Sequence, residues 1–289
     1  MHADLDTLVI ALYVRVDDFL PARRRFGRPP KITDSELIAL AVAQVFLGCP
    51  DDRRFLELAR WRLGHLFPYL PKQSGYNKRV RTLGPQIAQA VARFARESPS
   101  FCDGLRLLDS TPVLCGASRE TARRSELAGS AAYGWCASHS RYFWGYRLYL
   151  LCATDGMPIL FELAPANAPE RRVAAEMLER ANLEGYTVIA DAGFAGQEFE
   201  SHIASLGARF VRPDRKDEPP RYGSLGKIRQ WTWSVFWTCK GQLTLERHGG
   251  RTITEVCVRV ALRMLALAAG LAHNQSIGQP GRHFTAYNH

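Results

Sequence analysis

The hydrophobic pattern of the chain changes character at about residue 98, and this change limits the folds open to it. Before that point apolar residues recur at helical spacing, as in the segment from Asp4 to Phe19. After it, short apolar runs that suit strands alternate with amphipathic segments that suit helices. Neither an all-helical nor an all-β fold accommodates both patterns. We therefore predict a helical N-terminal region followed by a mixed α/β domain.

The N-terminal region is predicted to contain compact helices, short connections and an excess of positive charge. Thr33 and Glu36 have the spacing of a capping box, which marks a helix start. The run PARRRFGRPPK is predicted to be an exposed basic connection. Residues 20–98 hold 15 Lys or Arg against 6 Asp or Glu, in a chain of net charge +10. Because such a segment attracts a polyanion, we predict a DNA-binding region, with a plain helical bundle as the alternative.

The remainder is predicted to fold in the order strand, hairpin, helix, strand, helix, strand, helix. The hairpin is indicated by Asp155-Gly156 between two apolar runs. This order predicts an RNase H-like mixed sheet flanked by helices. The polar stretch that follows Asp109 is expected to be a loop. The predicted domains are residues 1–98, helical and DNA-binding, residues 99–274, catalytic, and residues 275–289, a loosely ordered tail.

Two aspartates, Asp109 and Asp191, each stand at the end of an apolar run that is predicted to be a strand. If these strands are neighbours in the sheet, the two carboxylates meet at one edge. Carboxylate oxygens are the ligands that Mg²⁺ prefers, and bound Mg²⁺ supports phosphodiester cleavage. The alternative is structural, because Asp is common at strand ends, where its side chain caps turns.

Several long strings show a family resemblance: LLDSTPVLCGASRETARRSELAG, YGWCASHSRYFWGYRLYLLC and RVALRMLALAAGLAHN. With them the chain resembles DDE transposases of bacterial insertion sequences, specifically the insertion sequence 982 family. The resemblance implies an RNase H-like catalytic domain, a helical DNA-binding N-terminus and Mg²⁺ or Mn²⁺. It also implies double-stranded DNA as partner, in the form of transposon ends and target, and a homo-oligomer on that DNA.

The resemblance makes Asp109 the first catalytic acid and Asp191 the second. The third acid of the family lies on a helix, four residues after an Arg and seven before a Lys. Arg229 and Lys240 hold those outer positions, and Trp233 stands where the Glu is expected. We therefore expect weak Mg²⁺ binding by the two aspartates, impaired turnover, and an indole packed against the sheet.

Glu246 is the candidate substitute for the missing acid, but it lies 13 residues beyond Trp233. On a continuous helix that separation is about 20 Å of rise, so Glu246 is expected to form an ion pair instead. Arg229, Lys240, Lys78 and Arg79 are the predicted DNA contacts.

Two functions remain open on these residues. The first is a transposase that binds element ends and performs metal-dependent strand cleavage and transfer. The second is a catalytically defective relative that binds DNA and inhibits or regulates transposition. Seven cysteines without a CxxC pair predict free, buried thiols and a reducing compartment. No signal peptide or membrane span is expected, so the predicted location is the bacterial cytoplasm, with the nucleoid when DNA is bound.

Overall fold

A computed structural model describes residues 4–20, 30–136, 140–214, 218, 221 and 226–287, apart from the side chains of 226–229, 231 and 232. The predicted basic connection lies mostly outside these residues. The chain divides into two compact units, of which the first combines Met1–Phe94 with Thr238–His289 and the second is Ala95–Trp237. The C-terminal helix therefore belongs to the unit of the N-terminal helices. The functional division at residues 98 and 274 stays a prediction.

The first unit is helical, as predicted. Its helices are α1 (Leu5–Phe19), α2 (Asp34–Phe46), α3 (Asp52–Arg62), α4 (Gln73–Thr82), α5 (Gly84–Glu97), which crosses the unit boundary, and α10 (Ile253–Ser276). The capping box at the start of α2 is present, because the Thr33 hydroxyl accepts from the Glu36 amide at 3.1 Å and the Glu36 carboxylate accepts from the Thr33 amide. The α2 helix is buried from Ser35 to Phe46 and packs on α1 and α10.

The α10 helix is long and apolar enough to cross a membrane, with a mean hydropathy of 1.6, but 89% of its apolar window is buried within the protein. It therefore acts as a core helix of the first unit. The segment after it is also packed, contrary to the loosely ordered tail that we predicted. Phe284 and Tyr287 are fully buried, and the Asn274 amide donates to the carbonyls of Pro280 and Gly281 at 3.1 and 3.0 Å.

The second unit is built on a six-stranded mixed sheet in the order β2-β3-β1-β5-β6, with β4 paired to β3. Its strands are β1 (Leu105–Gly116), β2 (Ala132–Cys136), β3 (Arg141–Cys152), β4 (Pro158–Pro165), β5 (Thr187–Ile189) and β6 (Arg209–Val211). The first four pair antiparallel, and β1, β5 and β6 pair parallel. The predicted RNase H-like order, with antiparallel strands first and parallel strands after, is confirmed.

Four further helices belong to this part of the chain. They are α6 (Arg119–Arg124), α7 (Glu170–Leu178), α8 (Gln197–Ser205) and α9 (Gly226–Gly241), the last of which crosses the unit boundary. The α7 and α8 helices cover one face of the sheet. Their buried residues Val173, Met177 and Ile203 pack with Leu108 of β1 and Val188 of β5.

Two local predictions were wrong. The stretch after Asp109 is not a loop, because β1 continues to Gly116 in antiparallel pairing with β3. The strand β2 was not predicted. Its outward residues Tyr133 and Trp135 are aromatic and its inward residue Gly134 is small, so the usual alternation of apolar inside and polar outside is lost. The predicted β3–β4 hairpin around Asp155-Gly156 is confirmed.

Candidate active site at the carboxyl edge of the sheet

Asp109 lies within β1, and Asp191 lies two residues beyond the end of the neighbouring parallel strand β5. The register pairs Leu105 with Thr187 and Leu107 with Ile189, so each partner lies 82 positions further along the chain. Asp191 likewise lies 82 positions after Asp109, and its backbone is still extended, with φ −75° and ψ 161°. The two aspartates therefore share the offset of the β1–β5 register, whose last pair is Leu107 and Ile189.

The two side chains also share a face of the sheet. Leu108 and Ala190, which precede the aspartates, belong to the buried cluster beneath α7 and α8. Side chains alternate between faces along a strand, so Asp109 and Asp191 project from the opposite face. Both are half-buried.

Each aspartate also binds the backbone next to it. One oxygen of Asp109 accepts from the Ser110 amide and one oxygen of Asp191 accepts from the Ala192 amide, both at 2.7 Å. A structural role, in which the Asp side chain binds the adjacent backbone, is therefore present at both positions, although Asp109 lies within β1 and not at its end. It fixes the carboxylates in orientation without excluding a second role.

A third carboxylate, that of Glu170, lies behind the aspartates on the α7 face. Glu170 is the first residue of α7, and its Oε1 accepts a hydrogen bond from the Ser110 hydroxyl. Arg147 of β3 lies 3.5 Å from the same oxygen and 3.2 Å from the Ser110 hydroxyl. The other Glu170 oxygen lies 3.8 Å from the point where a Cβ on Gly193 would stand. Glu170 therefore contacts the segment after Asp109 and lies close to the segment after Asp191.

Tyr149 lies across β1–β3 from Ser110 and is fully buried. Burial, followed by the negative charge of Glu170, raises the pKa of the Tyr149 hydroxyl, and the positive charge of Arg147 opposes this rise. That hydroxyl therefore stays protonated and neutral beside the Glu170–Arg147 pair.

Position 233 does not have the environment that we expected. Trp233 lies on α9 with 68% of its surface exposed, so the prediction that its indole packs against the sheet was wrong. One helical turn later, Trp237 is also exposed, at 58%. The side chain of Arg229 lies outside the described residues.

Glu246 forms the ion pair that we expected, with Lys240 at 3.1 Å. The helix α9 does not continue from Trp233 to Glu246, however. It ends at Gly241, and Thr244 then adopts a left-handed conformation with φ 53°. Lys240 is held by this pair and is 22% exposed, which makes it a weaker candidate for phosphate contact than its sequence position suggested.

The two predicted DNA contacts on α4 differ in exposure. Lys78 is exposed. Arg79 instead turns inward, where its guanidinium donates to the Ile32 carbonyl at 2.9 Å and to the Asp34 carboxylate at 2.6 Å. Arg79 therefore ties α4 to the start of α2, and its predicted contact with DNA is not supported by this geometry.

Two residues of the candidate site, Asp109 and Asp191, carry ligand atoms that suit a divalent cation. Two carboxylates at one edge provide hard oxygen ligands for Mg²⁺ or Mn²⁺. Within the residues that the structure describes, no group of three His, Cys, Asp or Glu side chains is arranged to hold a metal. Indole carries no oxygen and cannot replace the absent ligand at position 233. Among the described residues, Asp109 and Asp191 therefore provide carboxylate oxygens here and Trp233 provides none.

Sequence reasoning missed Ser110, Arg147 and Glu170. Ser110 follows Asp109 directly, which is a usable signal. Glu170 lies 60 residues from Ser110 and looks like an ordinary acidic residue at a helix start. Its link to the site depends on how α7 packs on the sheet, which the sequence alone does not specify.

Comparisons with known proteins give a family match and a similar solved structure. The model of the family described as transposase DDE domain matches residues 100–258. No curated protein matches the chain. Among solved structures, the chain is similar to the cryo-EM structure of a piggyBac transposase synaptic complex with hairpin DNA. That similarity has 9% identity and a TM-score of 0.47, and it covers 97% of this chain and 75% of the other.

Proposed function

The chain belongs to the transposase DDE domain family, and we propose that it derives from the transposase of a bacterial insertion sequence and has lost much of its strand-cleavage activity. The observation that carries this proposal is the 82-residue offset between Asp109 and Asp191, which equals the register of the neighbouring parallel strands β1 and β5. The register supports a shared cation site beside a bound phosphodiester. It also supports the correspondence of these residues to the first two catalytic acids of the family.

In the proposed reaction the two aspartates would hold Mg²⁺ or Mn²⁺, as DDE transposase domains typically use divalent metals. When bound, the ion activates an attacking oxygen and stabilises the leaving oxygen. Asp109 and Asp191 would bind and orient the ion, because their hydrogen bonds to the adjacent backbone amides limit side-chain rotation. Glu170, Ser110 and Arg147 support the two aspartate segments from behind, as outer-shell partners do in metal sites.

The exposed indole of Trp233 is the reason to propose impaired turnover. The indole supplies no metal ligand, and the Glu246 carboxylate forms an ion pair with Lys240. The same observation favours a second function, in which the protein binds transposon ends without cutting them and inhibits or regulates transposition. The two functions share a fold and a partner and differ in cleavage alone.

The proposed partner is double-stranded DNA at transposon ends and target, bound by a homo-oligomer. Lys78 is the proposed contact on α4, because its side chain is exposed in a region of excess positive charge. Arg229 and Lys240 are further proposed contacts. The proposed location is the bacterial cytoplasm and, with DNA bound, the nucleoid.

Restoration of the third acid tests the proposal. Trp233→Glu is compared with the native chain for nicking of supercoiled plasmid, and of duplexes from the ends of its own element, with Mg²⁺ or Mn²⁺. Trp237→Glu is the matched control, since it introduces the same acid one turn away on the same helix at similar exposure. We expect metal-dependent nicking from Trp233→Glu only. If the native chain nicks DNA as well as Trp233→Glu does, the proposed impairment is contradicted. If the native chain and both variants bind DNA and none of them nicks it, the regulatory function is favoured.

A further inference from the structure

The end of the sheet beyond the carboxylate site carries exposed aromatic side chains. Tyr133 and Trp135 of β2 are 50% and 48% exposed, and Tyr142 of β3 is 73% exposed. The Trp135 and Tyr142 rings contact each other edge to face, with centroids 4.9 Å apart. Large exposed aromatic rings grouped in this way mark an interaction surface rather than a solvated face.

These rings lie on the same face of the sheet as Asp109. The β1–β3 register places Leu150 opposite Asp109 and Tyr146 opposite Val113. Because side chains alternate between the two faces along a strand, Tyr142 lies on the same face of β3 as Leu150 and Tyr146. The β2–β3 register then places Trp135 opposite Tyr142. Asp109 and Gly116 are seven residues apart on β1, which is about 24 Å of strand and about the length of seven stacked nucleotides.

The surroundings of the rings are basic. Gly116 of β1 lies opposite Trp144, and a Cβ on Gly116 would stand 2.9 Å from Thr121, so α6 packs against this end of the sheet. Arg123 and Arg124 of α6 are 74% and 75% exposed and pair with Glu120. Such exposed ion pairs are weak, so each guanidinium group can leave Glu120 and bind a phosphate instead. Arg119 is also exposed.

The surface is held in place from the other face of the sheet. A Cβ on Gly134 would stand 2.4 Å from the Ala166 carbonyl oxygen, so only glycine allows β2 to lie this close to Ala166. Arg147 donates to the Trp135 carbonyl at 2.9 Å, with the same guanidinium that contacts Ser110 and Glu170. A rigid aromatic platform loses little entropy when it binds.

We propose that Tyr133, Trp135 and Tyr142, with the arginines at 119, 123 and 124, bind an unpaired DNA strand adjacent to the cleavage site. Bases stack on the rings and phosphates meet the guanidinium groups, which is how proteins bind single strands without reading sequence. The basic surroundings favour a nucleic acid over an apolar protein partner. This inference rests on the proposed function, because the strand it binds is one exposed when DNA ends are opened.

Fluorescence anisotropy of the full chain tests the surface, with a blunt duplex and the same duplex carrying an unpaired tail. Tyr142→Ala is compared with Tyr142→Phe, which keeps the ring, and with Trp61→Ala, which removes an aromatic side chain 84% exposed on α3. We expect Tyr142→Ala to weaken binding of the tailed duplex roughly five- to a hundredfold, with little change on the blunt duplex. Tyr142→Phe and Trp61→Ala should bind as the native chain does.

Each other outcome overturns a defined part of the proposal. If Tyr142→Ala and Trp61→Ala bind the tailed duplex equally, the surface inference fails while DNA binding stands. If Tyr142→Ala lowers the oligomeric state by light scattering and leaves affinity unchanged, the surface is a contact between copies of the chain. If the native chain binds neither duplex, the proposed function itself fails.

Discussion

Ser110 donates its hydroxyl hydrogen to Glu170, a residue 60 positions away that begins the helix behind the sheet. Ser110 follows Asp109, and the other Glu170 oxygen lies close to Gly193, in the segment that follows Asp191. One carboxylate therefore contacts the first aspartate segment and lies close to the second. Arg147 pairs with the same Glu170 oxygen and so places a positive charge beside that carboxylate.

Loss of the Glu170 charge should weaken metal binding at the aspartates. Glu170→Gln keeps the size of the side chain but breaks the pairing with Arg147, and outer-shell changes of this kind cost about 10- to 100-fold in metal affinity. Isothermal titration with Mn²⁺ measures the effect. Glu176→Gln is the control, since it alters an exposed ion pair on the same helix. Equal Mn²⁺ affinities for the two variants would argue against the link.

The paired aspartates themselves predict a metal-dependent melting temperature. Without metal, two carboxylates on adjacent strands repel each other, so Asp109→Asn should melt at the same temperature as the native chain or slightly above it. With millimolar Mg²⁺ the native chain should gain stability by mass action and Asp109→Asn should not. Differential scanning fluorimetry checks both. An equal Mg²⁺ shift in both proteins would place the cation elsewhere.

The sequence predicted those parts of the fold that depend on local chemistry. The capping box at Thr33 and the Asp155-Gly156 hairpin both formed where their residue types indicated. The register of Asp109 and Asp191 followed from strand order. By contrast, the packing of Phe284 depends on Phe46, with ring centroids 5.7 Å apart and more than two hundred residues of chain between them. No local pattern encodes such a contact.

In the candidate site, too, some features depend on local sequence and others depend on tertiary packing. The choice of Asp109 and Asp191 as site residues stays a prediction, and the expected strand end at Asp109 was wrong because β1 continues to Gly116. The exposure of Trp233 could not be predicted, since a Trp is usually buried and its environment depends on how α9 packs. The inward turn of Arg79 toward Asp34 was also hidden, because a cluster of basic residues does not reveal which members have partners.

Acid should destabilise the protein partly through Asp52. Burial tends to raise the pKa of Asp52, but the Arg259 guanidinium and hydrogen bonds from Gln44 and Asn77 outweigh it, so the pKa lies below its usual value. A lowered folded pKa adds stability above about pH 4, the unfolded value, and that stability is lost as pH falls through the folded pKa. Urea unfolding of the native chain should therefore show ΔG falling below about pH 4.

The variant Asp52→Asn isolates this contribution. It leaves Arg259 buried without its counter-charge, which should cost about 3–5 kcal/mol near neutral pH. Its ΔG should depend less on pH than that of the native chain over the acid range. Asp51→Asn, at the neighbouring exposed position that caps α3, is the comparison, because it removes a carboxylate and leaves the Asp52–Arg259 pair intact. Parallel slopes for Asp52→Asn and the native chain would contradict a lowered pKa.

Gly270→Ala should destabilise the protein although alanine is the better helix former. Alanine gains at most about 1 kcal/mol of helix propensity over glycine. At Gly270 in α10, however, the added Cβ would stand 2.7 Å from the Phe284 ring, and overpacking of this kind costs about 1–3 kcal/mol. Gly241→Ala is the control, because nothing lies within 4 Å of its Cβ position. Chemical denaturation should show a loss for the first variant only. Phe284→Leu combined with Gly270→Ala should cost less than the sum of the single changes, because the shorter side chain relieves the contact.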